Sequence, residues 1–188
     1  RNPISTSFGP IEIAERTSSK LSITADQYIL YTDGEFVSLI GYIGTETDLV
    51  LPSYITSIYR YAFAYCDSLT SVVIGDSVTS IGFSAFRDCS NLTSVVIGDS
   101  VETIGFSAFY NCTKLKVLTI PYGVTSIGEE AFYNCRSLNN LVLPNTVKTI
   151  GSKDSSSPVG VFEDCRSLKK IVLPQSVSSV ESNAFDGC

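Results

Sequence analysis

The sequence predicts a repeat solenoid, mainly β, of about six stacked units opened by a β-hairpin. Three observations carry this. Six cysteines (Cys66, Cys89, Cys112, Cys135, Cys165 and Cys188) recur at steps of 23 residues, apart from one step of 30 between Cys135 and Cys165. Each closes an Ala/Val-Phe-x-x-Cys stretch, as in Ala85-Phe86 before Cys89 and Val161-Phe162 before Cys165. Ahead of the first cysteine, Thr32-Asp33-Gly34 separates two apolar runs. A fixed period of about 20–50 residues marks units that cannot bury their apolar faces alone and must stack.

The elements follow in order. Residues 1–26 open with a Ser/Thr/Pro-rich stretch of no sustained period and read as a linker or the tail of a preceding module. Residues 27–44 read as a hairpin, because Asp33-Gly34 supplies the left-handed turn between Tyr28-to-Tyr31 and Phe36-to-Ile40. A hairpin here would cap the apolar end of the first repeat. Residues 45–188 form the array: a degenerate unit ending at Ser68, then units from Leu69, Leu92, Leu115, Leu138 and Leu168.

Within a unit the recurring apolar set is that of Leu69, Val72, Ile74, Val78, Ile81, Ala85, Phe86 and Cys89. Val72-Val73-Ile74 is short and β-branched, so it reads as a strand with residues 72 and 74 inward and 71 and 73 outward. Gly75, or Pro121, Pro144 and Pro174 in later units, ends that strand. The Val78-to-Ile81 stretch returns on the opposite side, and Ser84-Ala85-Phe86 has the length of a 3₁₀ or single α turn. The 30-residue step places an insertion at 152–160, polar and able to carry contacts, though a surface loop also tolerates extra residues at little cost.

Composition removes several functions. The chain has 188 residues, 44% of them hydrophobic, and a net charge of −6. Residues 1–100 hold 11 acids against 5 bases and residues 101–188 hold 8 against 8, with no basic footprint of the kind nucleic acid needs. No apolar run approaches the roughly 18 residues of a membrane span. Without histidine, Ser-His-Asp and Cys-His nucleophiles and imidazole zinc sites are excluded, and no Cys-x-x-Cys pair occurs. No catalytic residue, metal site or cofactor is expected. The chain has no methionine and reads as a processed or excised piece whose array continues past Cys188 or pairs end to end.

The unit LKVLTIPYGVTSIGEEAFYNCRS (115–137) and its relatives over residues 45–188 resemble the BspA-type leucine-rich repeat of bacterial and protozoan surface proteins. The preceding TDGEFVSLIGYIGTETDLVLP is similar to the cap of that family. The resemblance implies a right-handed solenoid with a parallel concave sheet, extracellular or cell-surface display, and non-catalytic adhesion to host-matrix or other surface proteins.

Two surfaces are candidate sites. The outward positions of the long strands are Asp48 and Val50, Ser71 and Val73, Ser94 and Val96, Val117 and Thr119, Asn140 and Val142, and Lys170 and Val172. That mildly apolar face suits a protein ligand. Phe83 and Phe106 share one register, and Arg87, Tyr110 and Tyr133 another, so each set forms a ladder suited to a polysaccharide or to sealing the solenoid's edge. A spacer that merely displays another domain is the remaining alternative.

The other motifs have quieter readings. The cysteines read as a buried column of free thiols, because stacked equivalents sit near the ~4.8 Å strand spacing, beyond the ~3.8 Å Cβ separation of a disulfide. Gly-Asp-Ser at 75–77 and 98–100 reads as a turn rather than a calcium loop, having one acid per coil. Asn91-Leu92-Thr93 and Asn111-Cys112-Thr113 match the glycosylation pattern.

Overall fold

The computed structural model describes residues 20–152 and 157–188. All its regular elements are strands. The first three are β1 (Leu21–Ile23), β2 (Tyr28–Asp33) and β3 (Phe36–Tyr42). Each coil then contributes a long and a short strand: β4 (Asp48–Val50) and β5 (Ser57–Ile58), β6 (Ser71–Ile74) and β7 (Ser80–Ile81), β8 (Ser94–Ile97) and β9 (Thr103–Ile104). The remaining pairs are β10 (Val117–Thr119) and β11 (Ser126–Ile127), β12 (Asn140–Val142) and β13 (Thr149–Ile150), and β14 (Lys170–Val172) and β15 (Ser179–Val180).

Long strands stack only on long strands and short on short. Ser71 pairs with Ser94 and Val72 with Val95, an offset of 23 residues, and Ile81 pairs with Ile104. After the insertion the offset becomes 30, with Thr149 opposite Ser179 and Asn140 opposite Lys170. The in-register pairing of the coils thus continues across the seven-residue insertion.

The hairpin docks on one sheet only. Strands β1, β2 and β3 are antiparallel, and Ser38 and Leu39 of β3 pair in parallel with Ser57 and Ile58 of β5. This makes a nine-stranded sheet, β1-β2-β3-β5-β7-β9-β11-β13-β15. The long strands form a four-stranded sheet, β4-β6-β8-β10, and a two-stranded one, β12-β14. Strand β1 falls within residues 1–26, which the sequence reads as linker. Leu21 and Ile23 pair with Tyr31 and Ile29, so residues 21–23 add a third strand to the hairpin. Residues 1–19 lie outside the described part.

The core is one continuous column. Phe63, Phe86, Phe109, Phe132, Phe162 and Phe185 stack with centroids 4.9–5.5 Å apart and planes within 6° of parallel. Tyr42 lies 5.6 Å from Phe63, and Tyr28 lies 5.4 Å from Tyr42. The hairpin thus ends the phenylalanine spine with two more aromatic rings, which keeps water from its open face.

The third side of each coil is not helical, contrary to the 3₁₀ or α turn expected at Ser84-Ala85-Phe86. Ala85, Arg87 and Cys89 donate their N–H groups three residues back, to Gly82, Ser84 and Phe86. Ser84, Phe86 and Asp88 instead donate to Phe106, Ala108 and Tyr110 of the next coil. This alternation requires left-handed backbone at Ser84 (φ 51°) and Asp88 (φ 57°), repeated at Ser107 and Asn111 and at Glu130 and Asn134. A helix would turn every N–H back on its own coil and leave neighbours unjoined. The tandem turns satisfy both.

Candidate functional site

Alternation along the long strands settles which side chains reach solvent. Leu49, Val72, Val95, Leu118 and Leu141 point into the core, and the residues beside them point out. One outward column is Val50, Val73, Val96, Thr119, Val142 and Val172, its valines 37–73% exposed. The other is Asp48, Ser71, Ser94, Val117, Asn140 and Lys170. The structure thus brings together every long-strand residue expected on this face. Its acidic end is muted: Asp48 accepts hydroxyl hydrogen bonds from Ser71, Thr47 and Thr70 at 2.5, 2.8 and 3.0 Å, which hold its carboxyl below its ordinary pKa.

This face has one discontinuity that the repeat pattern does not signal. No ladder joins β10 to β12 among the described residues, although the short strands β11 and β13 of the same coils pair normally.

The aromatic ladders form, and the rings within each cover one another's faces. Phe83 and Phe106 stack at 5.2 Å and 4°, and Tyr61 closes on Phe83 edge-on at 5.3 Å. The Arg87 guanidinium lies 4.0 Å from the Tyr110 ring centre, and Tyr133 stacks on Tyr110 at 4.7 Å. Burial raises the Tyr110 pKa, with the neighbouring Tyr133 adding to it. A pyranose stacks on a ring face, and Tyr110 already lies between Arg87 and Tyr133, as Phe83 does between Tyr61 and Phe106. Asp88, Asn111 and Asn134 run beside them, with Asn111 Nδ2 donating to Asp88 Oδ1 at 2.5 Å and Asn134 Nδ2 to Asn111 Oδ1 at 2.6 Å. Asn and Asp suit these left-handed positions and satisfy one another across coils.

The same ladder uses the amide of the second glycosylation-pattern asparagine. The amide of Asn91 is engaged as well, donating to Asp67 O and accepting from Lys114 Nζ, each at 2.7 Å. Asp76 Oδ1 accepts the Asp99 N–H at 2.9 Å, so the first Gly-Asp-Ser turn caps the second. No group of three carboxylate, thiol or imidazole side chains is disposed to hold a metal among the described residues.

All six cysteines are free, four of them fully buried. Burial raises their pKa values, to about 12 at Cys66 and Cys165. Each thiol from Cys89 onward donates to the phenylalanine carbonyl of the preceding coil, at 3.0–3.3 Å.

Glu181 was not singled out by the sequence. It stands where Gly82, Gly105, Gly128 and Gly151 stand in earlier coils, directly after the short strand. In a regular coil Ala131 N–H bonds to Gly128 O, but the insertion moves Val161 away from Gly151. Glu181 Oε1 accepts the Val161 N–H instead, at 2.5 Å. The carboxyl is 6% exposed, with Oε2 unpartnered, and burial raises its pKa. The signal available was an acid in a column that otherwise holds Tyr59 and then four glycines.

Comparison with known proteins agrees with this geometry. The model of the BspA type leucine rich repeat region matches in six copies, over residues 44–158 and 158–188. Among solved structures, a leucine rich cell surface protein from Faecalibacterium prausnitzii A2-165 superposes with a TM-score of 0.78 and 30% identity. That match covers 90% of this chain and 47% of the other, so the chain spans about half the length of that relative. The leucine rich repeat protein of T. pallidum matches at TM-score 0.70 and 29% identity, over 82% of this chain and 84% of its own. The pneumococcal vaccine antigen PcpA shares the fold at 20% identity and TM-score 0.67, over 89% of this chain and 47% of its own. No curated protein matches the sequence. Among the described residues no helix is long and apolar enough to cross a membrane. The chain belongs to the BspA-type leucine-rich repeat family.

Proposed function

We propose that this chain is a non-catalytic, protein-binding adhesion module displayed outside the cell, and that it meets its ligand with the long-strand face. The observation that carries this is the exposed valine column, Val50, Val73, Val96, Val142 and Val172, interrupted only by Thr119. A strand needs its inward residues to fold, but nothing in the core requires β-branched apolar residues outward, where water opposes them. Display at the surface is supported by the F. prausnitzii relative, a cell surface protein.

The neighbours that cover Tyr110 and Phe83 on both sides weigh against a polysaccharide site built on these ladders. Binding is tested on purified extracellular-matrix glycoproteins by surface plasmon resonance, comparing the parent with Val96→Arg/Val117→Arg. Saturable binding lost in the variant, with its circular dichroism and melting preserved, supports the reading. Retained binding overturns it, and no saturable binding by the parent leaves the spacer role.

A further inference from the structure

Charge is sorted along the long-strand face. In the last three coils, residues 113–117, 136–140 and 166–170 run from the cysteine corner to the first outward strand position. They contain Lys114, Lys116, Arg136, Arg166, Lys169 and Lys170 and no acid. All six are exposed. The equivalent residues at the other end, 44–48 and 67–71, hold Glu46, Asp48 and Asp67 and no base. Six of the chain's 13 basic residues thus gather on one strip of a protein whose net charge is −6.

Internal neutralisation of the strip is slight. Arg166 pairs with Asp164 at 3.1 Å, while Arg136 donates to Asn134 Oδ1 and Lys114 to Asn91 Oδ1, both neutral acceptors. Lys116, Lys169 and Lys170 make no ion pair with a described carboxylate. Paired strands such as β12 and β14 lie ~4.8 Å apart, so charges on neighbouring coils repel one another and an anionic partner relieves that repulsion. With a Debye length of about 10 Å at 0.1 M salt, the strip acts locally despite the net negative charge.

We infer that this end of the long-strand face binds an acidic polypeptide segment with apolar residues among its carboxylates. The choice of polypeptide rests on what flanks the strip. Val117, Val142 and Val172 are 53–73% exposed beside it, and a sulfated glycan or a phosphate backbone has little apolar surface to cover them. A second copy of this chain is a weaker occupant, because the acidic end engages Asp48 with three hydroxyls and Asp67 with Ser90 Oγ at 2.6 Å. The inference deepens the proposed protein-binding role and rests on it.

The test uses the whole chain and a fluorescein-labelled peptide of alternating Glu and Val, with its Lys/Val counterpart, a heparin oligosaccharide and a short DNA duplex as competitors. The Glu/Val peptide is expected to bind at least tenfold more tightly than the Lys/Val peptide, and several-fold more weakly as NaCl rises from about 50 to 300 mM. Lys116→Glu/Lys169→Glu/Lys170→Glu is expected to lose tenfold or more of that affinity with unchanged melting. Equal affinity for the two peptides, an unaffected triple variant, or tighter binding of heparin or DNA overturns the inference. Matrix-protein capture that survives Val96→Arg/Val117→Arg removes the underlying reading. Peptide binding that survives the lysine substitutions removes only the acidic partner.

Discussion

The thiol of Cys89 donates a hydrogen bond to the carbonyl oxygen of Phe63, 26 residues earlier, at 3.0 Å. The same carbonyl accepts the N–H of Cys66 in its own coil at 3.1 Å. One oxygen is therefore shared between two successive coils, and the pattern repeats from Phe86 to Phe162. The cysteine is selected as a small apolar side chain that still carries a donor, which valine and alanine lack.

Removing that donor in mid-array should be costly. Cys112→Ala leaves Phe86 O without its second donor and a small void in a fully buried site. A loss of about 1–2 kcal/mol in urea denaturation is expected.

Thiol ionisation should set the alkaline limit. Ordinary cysteines ionise near 9.0, while burial moves Cys66 and Cys165 to about 12 in the folded chain. The raised folded value means the stabilising contribution is complete below 9.0 and is lost as pH rises from there toward 12. Thermal melts across that window should show falling stability, and a thiol reagent at pH 8 should label Cys112 and Cys135 only after unfolding.

Close approach of coils explains the glycine after β7, β9 and β11, where a Cβ would meet the backbone of the preceding coil. A Cβ on Gly105 would lie 2.8 Å from the carbonyl carbon of Gly82. Gly105→Ala should therefore destabilise by about 1–3 kcal/mol. Glu181, which has a Cβ at this position, donates its N–H to Ile150 O at 3.3 Å, against 2.8–2.9 Å for Gly82, Gly105, Gly128 and Gly151.

Glu181 should itself report on pH. Burial first, then Glu129 and Glu130, raise its pKa above 4.5, whereas its bonds to the backbone at Val161 and Ser152 lower it. A raised acid contributes stability while protonated, below 4.5, and that contribution is lost as pH rises through the folded value. Glu181→Gln keeps an acceptor for Val161 without the charge, so it should melt higher than the parent at pH 7. The difference should vanish below pH 4.

The spine should behave as a unit. Phe109→Ala opens a void between Phe86 and Phe132, whose rings lie 5.1 and 5.4 Å away. A loss of about 3–5 kcal/mol is expected. Because each coil contacts only its neighbours, hydrogen exchange should rise first at Phe86, Phe109 and Phe132.

Much of the fold was legible because the signal is repeated. Val72 is inward and Val73 outward by strand alternation, and the same answer recurs at Val95 and Val96, so a local rule is confirmed by its own copies. The long-strand columns and both aromatic registers followed from that. The turn at Ser84 was misread because a short Ser-Ala-Phe stretch suits a helical turn locally, while its backbone is decided by N–H groups that bond to Phe106 and Ala108 one coil away. The aromatic registers were legible, but only the 4.0 Å approach of Arg87 shows that this face of Tyr110 is occupied.

The sequence by itself determined the period, the division of each coil into inward and outward residues, and the phenylalanine and cysteine columns. Each of these depends on a residue and its equivalent 23 positions away. Tertiary structure decided the rest: that the hairpin extends the short-strand sheet, that no ladder joins β10 to β12 among the described residues, and that Glu181 supplies the acceptor the insertion removed. It also decided that six basic residues scattered from 114 to 170 share one strip. These features arise where one coil differs from the next. A repeat pattern describes what coils have in common, and only their packed contacts resolve how an exception is met.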